Sequence, residues 1–382
     1  MYSLHTLHWN PPTWEAIKSR FIQIAKTDDQ REKLVSIVDF FKAEFGKGFF
    51  NNCGQNHPIC LKLTVNLHLL EELIEFSDNL QELKRHAPLN YEILLGKLKP
   101  RIKCQKEGIP FTDIARMFGK KGFYSNFIVE SQVRRNPDVE IIDPQTNDSI
   151  FIEVSQLGLS DAQSDIQDQH RKLSDTFITY GYDLPKACKQ LMPLEGEEME
   201  RAVRIIKTLK DKAAYERTFC MFEDRFIQVA VAHADRIDDL DCWCKERGIQ
   251  RNSVGGLNVN FNDTPRLVNN QKIIKEISQL PKDKPGVVYI PVSMLYFVMM
   301  NKPETGIAIM KQLEAFPSCY GVILYTGSVG SLLPIRRIVE EHFIYNVGVS
   351  KGITRHLFFI GNPWFVEDLS CETISRFRES LY

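Results

Sequence analysis

Apolar residues recur at helical spacing through the N-terminal part of the chain. Trp14, Ile17 and Phe21 lie three and four positions apart, which places them on one face of a helix. Further stretches with the same spacing follow before the pattern changes. We therefore predict a helical N-terminal domain over residues 1–109, with helices over residues 14–25, 28–45, 61–86 and 89–99.

A strand-like pattern replaces the helical spacing after Phe123. Three short runs are rich in apolar and β-branched residues, and they cover residues 127–133, 137–142 and 149–155. The first connector is short, and the second, Asp-Pro-Gln-Thr-Asn-Asp, consists of turn-forming residues. This arrangement predicts an antiparallel meander.

Apolar strands alternate with helices in the C-terminal part of the chain. The strands predicted there cover residues 286–292, 320–325 and 356–361. Such alternation is typical of an α/β layer with partly parallel pairing. Residues 156–265, which precede it, have mainly helical spacing, with candidate strands at 226–232 and within 254–264. We expect an α/β domain with a mixed sheet over residues 110–382, interrupted by a helical insertion at about 156–265.

Composition excludes disordered proteins and generally basic proteins. The 382 residues are 43% hydrophobic and 25% charged, so extensive disorder is excluded. Lysine and arginine total 48 against 49 acidic residues, a net charge of -1, which excludes a generally basic protein but allows a local basic face. The sequence has no GxxxxGK[ST] or HExxH motif, so P-loop and zincin chemistry are not indicated, and Gly-Val-Ser-Lys-Gly at residues 348–352 is a bare match to the GxSxG pattern.

The N-terminus and the hydropathy pattern indicate where the chain resides. The first twelve residues have neither a basic n-region nor a long apolar run, and the most apolar window, 286–300, is short and contains Pro291. We therefore expect no membrane span and a cytoplasmic location. The nine cysteines are then expected to be reduced thiols.

Acidic residues occupy one face of the predicted meander. Strand side chains alternate in direction, so Asp138 shares a face with Glu140, and Glu153 shares one with Ser155. Adjacent antiparallel strands bring such side chains within roughly 5 Å of each other. A carboxylate from each of two neighbouring strands can hold a hard divalent cation such as Mg²⁺.

At these residues the sequence resembles the PD-(D/E)XK nuclease superfamily, which has the restriction-endonuclease-like fold. The matching motif residues are Pro137-Asp138 and Glu153-Val154-Ser155, with the two acids fifteen positions apart. The resemblance implies a mixed sheet of restriction-endonuclease-like type. It also implies that Asp138 and Glu153 bind Mg²⁺ or Mn²⁺, and that Glu130 joins them as an upstream acid.

The chain departs from this family at the motif lysine, which is Ser155 here. In the family that lysine positions or activates the attacking water, and a hydroxyl group cannot supply its positive charge. Some members of the superfamily take the basic group from a neighbouring helix. Lys172, Lys272 and Lys275 are candidates for this role, and the choice among them stays open. The predicted catalytic set is Asp138, Glu153, Ser155 and Lys275.

A basic segment precedes the predicted metal site. Residues 84–135 contain twelve basic and four acidic residues, a local charge of +8. This segment fits a face that binds phosphates, although a solvated helical surface would have the same composition. The predicted nucleic-acid-binding residues are Lys97, Lys99, Arg101, Lys103, Lys120, Lys121, Arg134 and Arg135.

The leading hypothesis is a metal-dependent nuclease that acts on DNA or RNA, with DNA favoured. Proteins similar to this one serve in restriction or in defence against foreign DNA, and a homodimer is compatible with that role. One alternative is a catalytically inactive nuclease-like fold that binds nucleic acid or scaffolds a complex, which Ser155 favours. Another is a structural helical protein whose acid pair is accidental.

A zinc site at Cys53, His57 and Cys60 would lack a standard spacing.

Overall fold

The computed structural model divides the chain into two compact units. The described parts of residues 1–157 and 262–382 form the first unit, and those of residues 158–261 form the second. The second unit lies within the range predicted for the insertion. The structure describes residues 12–53, 57, 59–60, 63, 70–99, 108–129, 136–155, 157, 161–255, 257, 264–269, 271–329, 334–350, 353–366 and 369–381.

The first unit begins with a layer of helices. They are α1 (Trp14–Ile24), α2 (Asp28–Phe45), α3 (Phe49–Cys53), α4 (Leu70–His86), α5 (Pro88–Leu98) and α6 (Gly108–Gly119). Thr13 and Thr27 cap the first two, because their side chains accept hydrogen bonds from the backbone N–H groups of Ala16 and Gln30, at 3.1 Å each. Gly46 ends α2 with a φ of +84°, a value that favours glycine. None of the described helices in the chain is long and apolar enough to cross a membrane.

Three antiparallel strands follow these helices, as the sequence predicted. They are β1 (Tyr124–Phe127), β2 (Val139–Ile142) and β3 (Ser149–Val154). Ile141 of β2 lies opposite Ser125 on one side and Ile150 on the other, which confirms the meander. The first strand ends at Phe127, where the sequence predicted it to begin. It is an edge strand with exposed Tyr124 and Asn126, so its own residues have no apolar alternation to reveal it.

The second unit contains a four-stranded sheet in addition to helices, whereas the sequence pattern predicted mainly helices. Its strands are β4 (Lys186–Gln190), β5 (Phe219–Glu223), β6 (Ile227–Ala232) and β7 (Val254–Gly255), and they lie in the order β5-β6-β4-β7. The first of them in sequence reads Lys-Ala-Cys-Lys-Gln, which is too polar and too short to stand out as a strand. The elements are α7 (Asp161–Thr179), β4 (Lys186–Gln190), α8 (Gly196–Tyr215), β5 (Phe219–Glu223), β6 (Ile227–Ala232), a 3₁₀ turn (Ala234–Arg236), α9 (Ile237–Arg247) and β7 (Val254–Gly255).

The remaining elements complete an eight-stranded mixed sheet in the first unit. They are α10 (Thr264–Val268), α11 (Lys272–Ile277), β8 (Gly286–Pro291), α12 (Met294–Met299), α13 (Lys302–Leu313), β9 (Cys319–Val329), β10 (Arg336–Val339), β11 (Phe343–Ser350), β12 (Ile353–Gly361) and α14 (Cys371–Ser380). The strand order is β1-β2-β3-β8-β9-β12-β11-β10. The central strands β3, β8 and β9 are parallel, and the flanking pairs are antiparallel. The architecture is therefore mixed α/β, as expected.

Helices cover both faces of this sheet. Val287 and Tyr289 of β8 belong to the hydrophobic cluster that includes α1 to α6, so the helices before residue 109 share their core with the sheet. Val288 and Ile290, which point the opposite way, belong to a cluster with α10 to α13. Glu153 of β3 pairs in register with Val288, and this places its side chain on the α10–α13 side.

Candidate active site

Asp138 is fixed at the start of β2 by two contacts with the neighbouring strand. Its backbone N–H donates to the carbonyl oxygen of Ile152 at 3.1 Å. Its carboxylate Oδ2 accepts a hydrogen bond from the backbone N–H of Val154 at 3.0 Å. The two contacts lie on either side of Glu153 in the chain. Asp138 and Glu153 therefore occupy neighbouring positions on adjacent strands.

Glu153 is a buried carboxylate that is incompletely hydrogen bonded. Its side chain is 5% exposed, and Oε1 accepts a hydrogen bond from Nε2 of Gln279 at 2.7 Å. The other oxygen, Oε2, is buried and has no hydrogen-bond partner among the described residues. A buried polar atom without a hydrogen-bond partner is costly, so this atom marks a position where a ligand would be stabilised.

The pKa of Glu153 is raised to about 9, chiefly by burial and in addition by the negative charges of Asp138 and Glu276. The positive charges of Lys97 and Lys272 oppose this rise. Like charges that meet in a buried place favour a cation between them. A carboxyl group whose pKa is strongly shifted by burial and by specific charged neighbours is also typical of functional sites.

Helix α11 supplies a chain of polar contacts to Glu153. Lys272 forms an ion pair with Oε1 of Glu276 at 2.7 Å, one helical turn along. Oε2 of Glu276 accepts a hydrogen bond from Nε2 of Gln279 at 2.7 Å, and the same nitrogen donates to Glu153. Gln279 thus links the two carboxylates and holds one oxygen of Glu153 in place.

Lys97 of α5 brings a positive charge to the same acids. Its Nζ lies 3.3 Å from Oδ1 of Asp138, and both side chains are largely buried. The ammonium group also lies over the ring of Phe111, 4.8 Å from the ring centre. The structure therefore brings a lysine to Asp138 from a helix that precedes the meander in the chain.

The other candidate catalytic residues differ in their burial. Ser155 directly follows β3 and is buried, and its Oγ has no hydrogen-bond partner among the described residues. Lys275 lies on α11 but is exposed, and the lysines whose charges act on Glu153 are instead Lys97 and Lys272. Lys172 is exposed on α7 of the second unit.

The predicted nucleic-acid-binding residues divide into three groups. Lys99, Lys120 and Lys121 are exposed, and Lys121 forms an ion pair with Glu379 at 3.2 Å. Lys97 is largely buried beside Asp138, so its place is in the acidic site and not on the outer surface. Four further predictions, Arg101, Lys103, Arg134 and Arg135, lie outside the described residues.

The structure describes two of the three metal ligands that the sequence predicted, Asp138 and Glu153. Glu130, the predicted upstream acid, lies outside the described residues. Within the described part of the chain, no group of three or more histidine, cysteine, aspartate or glutamate side chains is placed to hold a metal ion. Mg²⁺ often takes only one or two protein carboxylates and completes its shell with water. Two carboxylates, as in Asp138 and Glu153, are within the number that such an ion takes from a protein.

The zinc site considered at His57 is not supported by the contacts of this residue. Nδ1 accepts a hydrogen bond from the backbone N–H of Ile59 at 3.1 Å, and Nε2 lies 3.0 Å from the carbonyl oxygen of Leu98. Both ring nitrogens are thus engaged with backbone groups. Burial lowers the pKa of His57, which fits a neutral structural histidine.

Sequence reasoning missed the roles of Lys97, Glu276 and Gln279 at this site. A signal for Lys97 exists, because it follows Leu94 by three positions and precedes Leu98 on the buried face of α5. A lysine on an apolar face needs a partner. No comparable signal marks Gln279, which lies beyond the end of α11 and meets Glu153 only in the folded chain.

Comparison of the chain with protein-family models, with curated proteins and with solved structures gives no match.

Proposed function

We propose that the chain is a metal-dependent nuclease that hydrolyses phosphodiester bonds in DNA or RNA, with DNA favoured, on a sheet of restriction-endonuclease-like type. The observation that carries this proposal is the site formed at the start of β2 and the end of β3. Two acids from adjacent strands, Asp138 and Glu153, meet in a buried place with a lysine beside them. This combination of groups suits the hydrolysis of a phosphodiester.

The donor set of the site fits a divalent cation. Carboxylate oxygens are the ligands that Mg²⁺ and Mn²⁺ prefer. A cation would take the place of the proton on Glu153, contact its unpartnered Oε2 and offset the negative charges of both acids. Asp138 and Glu153 would hold the ion, which supplies stabilisation of the charge that develops on a phosphate and acidifies water.

The residues around the two acids have distinct tasks in this proposal. Lys97 provides the positive charge that Ser155 lacks, and its contact with Asp138 keeps the ammonium group at the site. Gln279 orients Glu153 by donating to Oε1, which leaves Oε2 to face the cation. Glu276 fixes Gln279 in turn, because it accepts the second hydrogen bond of the same amide nitrogen.

A cleavage assay tests the proposal directly. Wild-type protein should cut single- or double-stranded DNA or RNA when Mn²⁺ or Mg²⁺ is added, and chelation should stop the reaction. Glu153→Gln should lower the cleavage rate by about a hundredfold or more, because a ligand charge is lost while the shape is retained. Glu140→Gln is the matched control, since Glu140 lies on β2 and its contact is with Asn126 at 3.5 Å.

The inactive alternative predicts a different result. A nuclease-like scaffold that only binds nucleic acid would retain DNA in a binding assay and show no cleavage with either ion. If wild type cuts none of these substrates, the enzyme proposal fails. Binding that persists in the same samples would then favour the scaffold.

A further inference from the structure

A second concentration of basic groups lies at the far end of the large sheet. Arg336 of β10 pairs with Val347 of β11, and Val347 pairs with His356 of β12. Residues paired in register point to the same face, so Arg336 and His356 share a face two strands apart, about 10 Å from each other. The first residue of α13, Lys302, joins them from the helix that packs against β12.

His356 is the unusual member of this group. It is 0% exposed, and neither Nδ1 nor Nε2 has a hydrogen-bond partner in the described part of the chain. Its ring lies against Phe297, with ring centres 5.6 Å apart. Most buried polar groups are hydrogen bonded, so an imidazole with two unpaired nitrogens needs a ligand or a functional explanation.

Lys302 is also partly removed from water. It is half-buried, and its Nζ lies over the ring of Tyr345, 4.6 Å from the ring centre. Burial lowers the pKa of Lys302, and the charge of Arg336 lowers it further. Burial likewise lowers the pKa of His356, and the charge of Lys302 adds to that effect. Arg336 therefore disfavours the protonated form of Lys302, and Lys302 disfavours the protonated form of His356.

These groups have no acidic partner within the described residues. Neither Lys302, Arg336 nor His356 forms an ion pair with a carboxylate there. The nearest acid along α13, Glu304, instead accepts a hydrogen bond from the side chain of Asn301 at 3.1 Å. Asn301 precedes α13, and its side chain does not cap the helix. The positive end of the helix dipole therefore adds to the positive charges of Lys302 and Arg336.

We infer that Lys302, Arg336 and His356 form a binding site for a phosphate group at the first turn of α13. A phosphate supplies a negative charge and acceptor oxygens for these three groups, which Glu304 of the same turn does not contact in the described part of the chain. The site is distinct from the acids of the proposed nuclease centre, because β12 lies three strand spacings from β3, about 14 Å across the sheet. The phosphate can belong to a nucleic-acid backbone or to a small phosphate compound, and the chemistry of recognition is the same.

Thermal unfolding in sodium phosphate and in sodium chloride of equal ionic strength tests this site. Phosphate should raise the Tm of wild type relative to chloride, since a ligand of the folded state stabilises it. Lys302→Met and Arg336→Met should each weaken phosphate affinity by roughly tenfold, because a charge-assisted hydrogen bond is lost. Lys311→Met is the matched control, as Lys311 is exposed in the last turn of the same helix.

His356→Leu separates ligand binding from a structural role. The change removes two unpaired buried nitrogens, so the Tm without phosphate should rise, while the shift caused by phosphate should shrink. A histidine that is only structural would not give these opposite effects. The inference is overturned if phosphate has no effect on wild type beyond that of chloride. It is equally overturned if Lys302→Met and His356→Leu respond to phosphate as wild type does.

A parallel binding assay with single- and double-stranded DNA identifies the source of the phosphate. If Lys302→Met and Arg336→Met lower DNA affinity and its salt dependence, the site binds a backbone phosphate. If DNA affinity is unchanged while inorganic phosphate binding is lost, the site serves a small phosphate compound. Both results support the site, and neither depends on whether the protein cleaves DNA.

Discussion

Lys97 and Asp138 form an ion pair, 3.3 Å from Nζ to Oδ1, between the helix that precedes the meander and the strand that carries the first acid. Both side chains are largely buried, so the attraction is screened less than at the surface. The pair brings an ammonium group to the acidic site even though the motif lysine is Ser155. If the proposed function holds, it is the contact on which catalysis depends.

Replacement of Lys97 should slow the proposed cleavage step and not merely weaken binding of nucleic acid. We expect Lys97→Met to lower the single-turnover cleavage rate by about a hundredfold or more, because the positive charge at the site is lost. Lys47→Met, at an exposed position outside the predicted nucleic-acid-binding set, is the control and should cleave almost normally. Adding Ser155→Lys to Lys97→Met should restore part of the rate by returning a charge beside Glu153. No loss of rate in Lys97→Met would remove this residue from the mechanism.

The stability of the metal-free protein should fall as pH rises. The pKa of Glu153 in the folded state is about 9, against an ordinary value of 4.5. Between these values the folded state holds a proton that the unfolded state releases, so the free energy of unfolding decreases from about pH 4.5 to about pH 9. Glu153→Gln should be more stable than wild type at pH 8, by on the order of 2 kcal/mol. Denaturant unfolding between about pH 4.5 and pH 9 measures the free energy of unfolding of both proteins. The control Glu140→Gln should follow wild type.

Binding of a divalent ion should release a proton at neutral pH. Glu153 must lose its proton to act as a ligand, so Mn²⁺ affinity should increase as pH rises towards 9. Calorimetric titrations with Mn²⁺ in two buffers of different ionisation enthalpy measure the proton count. Asp138→Asn and Glu153→Gln should both lose most of the affinity. Equal heats of binding in the two buffers would contradict a protonated Glu153 in the free site.

A buried ion pair joins the helical layer to the sheet. Glu75 of α4 pairs with Arg355 of β12, and their side chains are 8% and 14% exposed. Removal of one partner leaves a buried charge uncompensated, so Glu75→Gln should lower the free energy of unfolding by about 3 kcal/mol. The surface pair of Lys18 and Asp39 is the comparison, and Asp39→Asn should cost less than about 1 kcal/mol. Denaturant unfolding of both variants measures the difference, and equal effects would contradict the argument.

Local patterning was enough to predict much of the fold. Helical spacing around Trp14 and Leu34 located α1 and α2, and period-two alternation located β2 and β3 with their antiparallel order. The same alternation brought Asp138 and Glu153 to neighbouring strands. These features depend on which residues stand two, three or four positions apart, and the chain carries that information directly.

Long-range placement was decided by the tertiary structure. Lys97 lies 41 positions before Asp138, and Gln279 lies 126 positions after Glu153, so no local spacing relates them. The strands β10 and β11 join the sheet by antiparallel pairing that brings Arg336 and His356 onto one face, again without a local signal. The sequence by itself determined the acids and the strands that carry them. Packing of α5 and α11 against opposite sides of that sheet decided which charged and amide groups reach those acids, because only the closed core fixes distances between remote segments.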